Sequence, residues 1–214
     1  MASEVQICNL SLSHISQAAS VTSIRPPGNN AVEEVCAQFF DQARDEVLEA
    51  HDWTFATARR SLATVVNPST NWAFAYQLPN DYIRALAVLP PESTDDDQGV
   101  PYDIESTLAG NLILYTNVEN AVLKYIRRVI DTGKWTPLFN TTVSRLLAHY
   151  ISGPITKKPA VVESTLKLYF NQLMIARGAN AQSTNVNRRK HYVPEHLKAR
   201  GVVSAAPDAR ILNN

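Results

Sequence analysis

The sequence predicts an α+β fold: an antiparallel helical bundle with a small antiparallel β subdomain inserted into it and an extended C-terminal arm. Three observations carry this. Apolar residues recur at three- and four-residue steps near the start of the chain and again beyond Trp135, the spacing of one helix face. Between these stretches lie short runs rich in Val, Ile, Leu and Tyr, separated by Pro, Gly, Asn and Asp, the pattern of strands and turns. After Gly178 neither period continues. The expected divisions are 1–62 for the first helical pair, 63–133 for the β insertion, 134–178 for the second helical pair and 179–214 for the arm.

The first helix is expected over 4–19, where Val5, Cys8, Leu12, Ile15 and Ala19 share a face, until VTSIRPPGNN breaks the pattern. The second starts near Asn30. An Asn can cap it, and Glu33 and Glu34 favour its positive first turn. It runs through Cys36, Phe40, Ala43 and Leu48 to about 51–53, and a short connection makes the pair antiparallel. Strand-like runs follow at 72–78, 82–89, 103–108, 111–115 and 121–130, with Ala109-Gly110-Asn111 as a hairpin turn. Thr136 caps a third helix with Pro137 in its first turn, and Gly153-Pro154 is expected to stop it. Pro159 opens a fourth helix that Gly178 should terminate.

Composition narrows the function classes. No apolar run approaches the roughly 18–20 residues of a membrane span, so no membrane anchor is expected. The start MASEVQICNL lacks a basic region followed by a long apolar stretch, so a protein made and used in a cytoplasm is expected. Cys8 and Cys36 are the only cysteines, and both read as small buried hydrophobes. The 20 basic and 20 acidic side chains cancel, but unevenly. Residues 1–84 carry 5 basic and 9 acidic side chains, 85–123 carry 7 acidic and none basic, and 124–214 carry 15 basic and 4 acidic. Such polarity points to faces with different partners, or to copies that meet head to tail.

The chain holds no phosphate loop of the GxGxxG or GxxxxGK[ST] kind, no GxSxG elbow and no HExxH pair. His191 and His196 flank Glu195 in the polar arm and read as solvated rather than as metal ligands. Asp95, Asp96, Asp97, Asp103 and Glu105 supply carboxylates, but in a polar loop that lacks the environment needed to raise one pKa for glycoside cleavage. No catalytic residue, metal or cofactor is therefore expected. Arg188, Arg189 and Lys190 form a basic patch that could contact phosphate. No nucleic-acid module surrounds it, and docking on an acidic protein surface is the preferred reading. Ile211 and Leu212 could anchor the same arm in a groove.

Three blocks carry a resemblance. Cys36, Phe40, Arg44-Asp45 and Leu48 lead to Trp53 and then TFATARRSL, with Phe55, Ala56, Arg59 and Leu62. FAYQLPNDYIRALAV follows Trp72, and WTPLFNTTVSRLLAHYISGPIT begins at Trp135. Their order and spacing resemble the tail tubular protein A family, the head-to-tail adaptors of short-tailed bacteriophages: W-x-F-A-x-x-R-x-x-L, then Y-x-L-P-x-D-x-x-R, then a W-x-P-x-F helix opening. The resemblance implies a structural virion protein and not an enzyme. It implies a homo-dodecameric ring in the virion tail, below the portal protein, above the nozzle protein (tail tubular protein B), carrying tail fibres, with double-stranded DNA passing through the lumen without sequence-specific binding. Cys36, Phe40, Arg44, Trp53, Phe55, Arg59, Trp72 and Trp135 are then core and junction residues, with Phe74 and Tyr76 beside them. Arg188, Arg189, Lys190, Ile211 and Leu212 are then portal-docking residues. A carbohydrate-cleaving tail hydrolase and a small DNA-binding packaging protein are the alternatives.

Overall fold

A computed structural model describes residues 2–93, 99–107 and 110–183. These combine four helices with antiparallel sheets, an α+β fold. Helix α1 spans Glu4–His14, opened by a capping box in which Ser3 and Gln6 bond each other's backbone N–H groups. It ends five residues before the 19 expected from the sequence. Ser16 takes φ +59°, and Asn9 holds both the N–H and the carbonyl of Val21 at 3.0 and 2.9 Å, so the chain turns back across the helix. Helix α2, Ala31–Glu49, is capped by Asn30.

The chain enters the sheets earlier than the sequence indicates. After a 3-10 turn at Thr54–Ala56, strand β1 (Thr57–Ser61) pairs along its whole length with β7 (Val122–Arg127), and β2 (Ala63–Thr64) crosses to the second sheet. Residues 57–61 therefore belong to the β part rather than to a helical pair. Strand β4 (Tyr82–Leu89) completes the first sheet, in the order β1-β7-β4. Strands β3 (Phe74–Gln77), β5 (Tyr102–Ser106) and β6 (Leu112–Thr116) join β2 in the second, in the order β2-β3-β6-β5. The β5–β6 hairpin closes through Gly110 at φ +82°, a left-handed conformation that glycine adopts without a side-chain clash.

The first sheet faces two cores. Leu123 and Tyr125 of β7 pack with Tyr76, Val88 and Leu114 between the sheets, while Ile126 points into the helical core. Register shifts in β4, between Tyr82 and Arg84 and between Ala85 and Ala87, coincide with Ile83 and Leu86 reaching the helical side. A small outer cluster of Ala75, Ile113 and Tyr115 lies under Val65 and Trp72.

Helix α3 spans Pro137–Thr156, and α1, α2 and the next helix, α4 (Pro159–Ser183), all pack against it. It does not stop at Gly153-Pro154 but continues through Pro154 to Lys157, which ends it at φ +54°. Helix α4 spans Pro159–Ser183 and passes through Gly178, so residues 179–183, expected in the arm, are helical. Among the described residues no helix is long and apolar enough to cross a membrane.

Candidate functional site

The residues singled out in the sequence blocks converge mainly at one place, the junction between helices and sheets. Trp53 follows α2 and is fully buried, its indole N–H donating to the Val47 carbonyl at 2.6 Å. Trp135 precedes α3 and repeats the device on the Val129 carbonyl at 2.9 Å. Phe139, one turn into α3, stands between them. Its ring centroid is 5.1 Å from Trp53, 5.0 Å from Trp135 and 4.9 Å from Phe55, each in edge-to-face geometry. Phe40 of α2 stacks on Trp135 at 6.3 Å. Phe139 is the keystone that reading for site residues missed. Its signal was the W-x-P-x-F opening in WTPLF, in which Trp135, extended just before the cap Thr136, meets Phe139 in the first turn of the helix.

Charged side chains lace the rim of this junction. Arg44 is buried and donates to Asp45 at 2.7 Å and to Asp41 at 2.9 Å. Arg128, beyond β7, takes the other oxygen of Asp45 at 2.9 Å, and Arg25 joins Glu4 to Asp41. The chain of alternating charges thereby binds α1, α2 and the end of β7 together. Asp41 sits below the usual carboxylate range because the Arg25 and Arg44 guanidinium groups outweigh its partial burial. Arg84 pairs with Asp52, and Asp81 accepts from the Tyr125 hydroxyl at 3.0 Å. Burial and that carboxylate push the Tyr125 phenol up, which keeps it a proton donor.

The remaining predicted residues lie elsewhere. Cys36 is buried with Cys8 facing it across α1 and α2. The neighbouring Cys36 thiol and burial push the Cys8 thiol up, which keeps it protonated. Arg59 is exposed on β1, opposite Lys124. Trp72 belongs to the outer cluster, and Phe74 and Tyr76 to the core between the sheets, so these three do not cover the helix–sheet junction as the sequence suggested. Arg188, Arg189, Lys190, Ile211 and Leu212, like Asp95, Asp96 and Asp97, lie outside the described residues.

Two contacts were not legible beforehand. Asn180, in the last turns of α4, accepts from the Thr54 N–H and hydroxyl at 3.2 and 3.0 Å and donates to the Asp52 carbonyl at 3.0 Å. It ties the end of α4 to the segment that leads from α2 into β1. Glu33, buried in the first turn of α2, accepts from the Thr22 N–H at 2.6 Å, the Thr22 hydroxyl at 2.8 Å and the Ser23 N–H at 3.3 Å. Those donors lower its pKa.

Two grooves accompany these features. One, of about 390 Å³, is lined by Arg60, Gln77, Pro79 and Asp81 where the two sheets meet. The other, of about 480 Å³, lies at the α3–α4 turn between Val162 and Leu166 with Lys157 and Lys158 at its rim. No family model and no curated protein matches the chain in sequence.

Proposed function

We propose that this chain is a ring-forming structural subunit, a head-to-tail adaptor of the tail tubular protein A kind, that joins a portal to a tail nozzle in a short-tailed phage. The observation that carries the reading is the meeting point of the sequence blocks. Trp53 and Phe55 of the first and Trp135 of the third are far apart in the chain, yet they close on Phe139 in one junction. Residues that resemble a family signature and also brace two layers against each other suit a subunit that must stay rigid while its outer surfaces dock.

In this reading the four helices act as an antiparallel bundle, the sheets as its inserted β subdomain and residues 184–214 as the arm that reaches the portal. The protein would be assembled in the host cytoplasm and reside in the virion tail, with tail fibres and the nozzle on further surfaces. Double-stranded DNA would pass through the ring without being read. The strong division of charge, net −11 over 1–123 and +11 over 124–214, supports heterologous contacts, which close into rings when the rotation permits. Electron microscopy of the protein mixed with its cognate portal tests the reading. Rings with rotational symmetry bound to the portal are expected, and a persistent monomer without portal affinity would overturn it.

A further inference from the structure

A polar contact at the end of α4 dictates the protonation state of a histidine. The buried side-chain amide of Asn180 lies between two backbone groups whose roles cannot change. At one end the Thr54 N–H, which can only donate, stands 3.2 Å from Oδ1, with the Thr54 hydroxyl at 3.0 Å. At the other the Asp52 carbonyl, which can only accept, stands 3.0 Å from Nδ2. The amide therefore has one orientation, because turning it over would set N–H against N–H and oxygen against oxygen. Nδ2 has a second neighbour, Nε2 of His51 at 3.1 Å. Since Nδ2 donates, that ring nitrogen must accept, and the ring proton must sit on Nδ1. An imidazolium donates at both nitrogens and cannot make this bond. The contact requires neutral His51.

The surroundings favour the same state. His51 lies just past α2, partly buried and edge-to-face with Trp53 at 5.1 Å. Charged groups reach it from three elements. Asp52, its neighbour in the chain, favours the proton, but that carboxylate is paired with Arg84 of β4. Arg177 of α4 and Arg84 itself oppose the proton. Burial, with those two cations, holds the imidazole below its ordinary value of about 6.5. The contact also holds something. Before Gly178, α4 is fixed by Tyr169, Leu173 and Ala176, and by Arg177, which donates to the Ala50 carbonyl. Beyond Gly178, Asn180 is the one buried residue among 179–183.

We propose that His51 and Asn180 form an acid-sensitive latch on the end of α4. With His51 neutral, Asn180 is held by His51, Asp52 and Thr54, and residues 179–183 stay helical. When His51 takes up a proton, its Nε2–H meets the Nδ2 donor, the amide leaves its place, and the helix frays back to Arg177. The folded pKa lies below the ordinary one, so the latch is complete above about pH 6.5 and weakens as pH falls toward and past the depressed value. The latch stands apart from the adaptor reading, and its failure leaves that reading untouched.

NMR of the full chain tests it. The His51 ring and the backbone shifts of 179–183 are followed from about pH 8 downward until the ring has titrated. In the parent the helical shifts at 179–183 should be lost along the curve of the ring titration, while α3 keeps its own. His51→Gln offers an amide oxygen in place of Nε2, an acceptor that takes up no proton, and should keep the 179–183 shifts throughout. Linkage supplies an independent reading. Because the closed latch favours neutral His51, Asn180→Ala, which adds no charge, should raise the His51 pKa toward about 6.5. Helical shifts at 179–183 that ignore the ring titration, or that His51→Gln loses at the same pH as the parent, overturn the latch. So does an unchanged His51 pKa in Asn180→Ala, and that measurement decides the matter if His51→Gln frays the helix end at every pH.

Discussion

Phe139→Ala strikes the point where the helices, the two indoles and the β1 lead-in meet. The side chain is fully buried and its ring touches three others edge-to-face. Truncating a buried Phe to Ala costs about 3–5 kcal/mol, as transfer free energy plus the cavity left behind. Each aromatic pair adds about 0.5–1.5 kcal/mol, and the pairs share one ring, so they do not sum. The expected loss is therefore at the top of the range, about 5 kcal/mol, against about 5–15 kcal/mol for a whole domain. Phe139→Leu keeps most of the volume and should cost about 2 kcal/mol through lost ring geometry and imperfect fit. Guanidinium unfolding followed by tryptophan fluorescence suits the measurement, since two of the three tryptophans lie in this cluster. A double-mutant cycle between Phe139→Leu and Phe55→Leu should show a coupling of about 0.5–1.5 kcal/mol, and one between Phe139→Leu and Trp72→Phe should show none. A Phe139→Ala loss below about 1.5 kcal/mol, with an unchanged denaturant slope, would refute the keystone role.

Three further outcomes follow from named contacts. His14, beside Ser144 at 3.1 Å, is lowered to about 4 by burial and by Arg145. Its folded pKa lies below the unfolded value, so stability is full above about pH 6.5 and declines as pH falls toward 4, by about 1–2 kcal/mol after allowance for partial exposure; His14→Gln should flatten that window in pH-dependent unfolding. Glu33→Gln removes the charge from a carboxylate whose lowered pKa comes first from the Thr22 N–H. Hydrogen exchange at Thr22 and Ser23 should quicken in the variant, and in the parent should quicken as pH falls through the depressed Glu33 pKa, after correction for intrinsic exchange. A chain ending at Gly178 lacks Asn180 and should unfold about 2 kcal/mol more easily than one ending at Ser183, since the Thr54 and Asp52 hydrogen bonds go with it.

Periodicity located the helices because each buries one stripe, and the caps at Asn30 and Thr136 are local side-chain chemistry within reach of a sequence reading. The short strands at 82–89 and 111–115 were legible for the same reason. Strand β1 was not. TARRS has no apolar alternation, because it is a largely exposed edge strand whose partner β7 lies more than sixty residues away. The aromatic residues stand out in the sequence as large packing groups, but their distribution over three clusters is set by which sheet face each occupies, which only the register fixes. Trp72 and Trp53 look alike in the sequence and serve different cores.

The two helix-breaking signals that failed did so for one physical reason. A proline inside a helix forfeits a backbone hydrogen bond and crowds the carbonyl four residues back, and a glycine costs about 1 kcal/mol relative to alanine. Both are local costs, and tertiary contacts beyond them offset both. Past Pro154, Ile155 still packs on the helical core, and Lys157 closes the helix by donating its N–H to the Gly153 carbonyl at 3.0 Å. Past Gly178, Asn180 hydrogen-bonds the segment before β1 at His51, Asp52 and Thr54. In each case the turn after the breaker carries a residue that the rest of the fold uses. Replacing Asn180 by Ala should therefore do more than remove hydrogen bonds: it removes what holds the helix together beyond Gly178. Helical signal should be lost from residues 179–183 while α4 up to Arg177 persists, held by Tyr169, Leu173 and Ala176. Backbone chemical shifts would show it. Unchanged helical shifts at 179–183 in Asn180→Ala would mean that the last turns are stable by propensity alone, against the cost of the glycine.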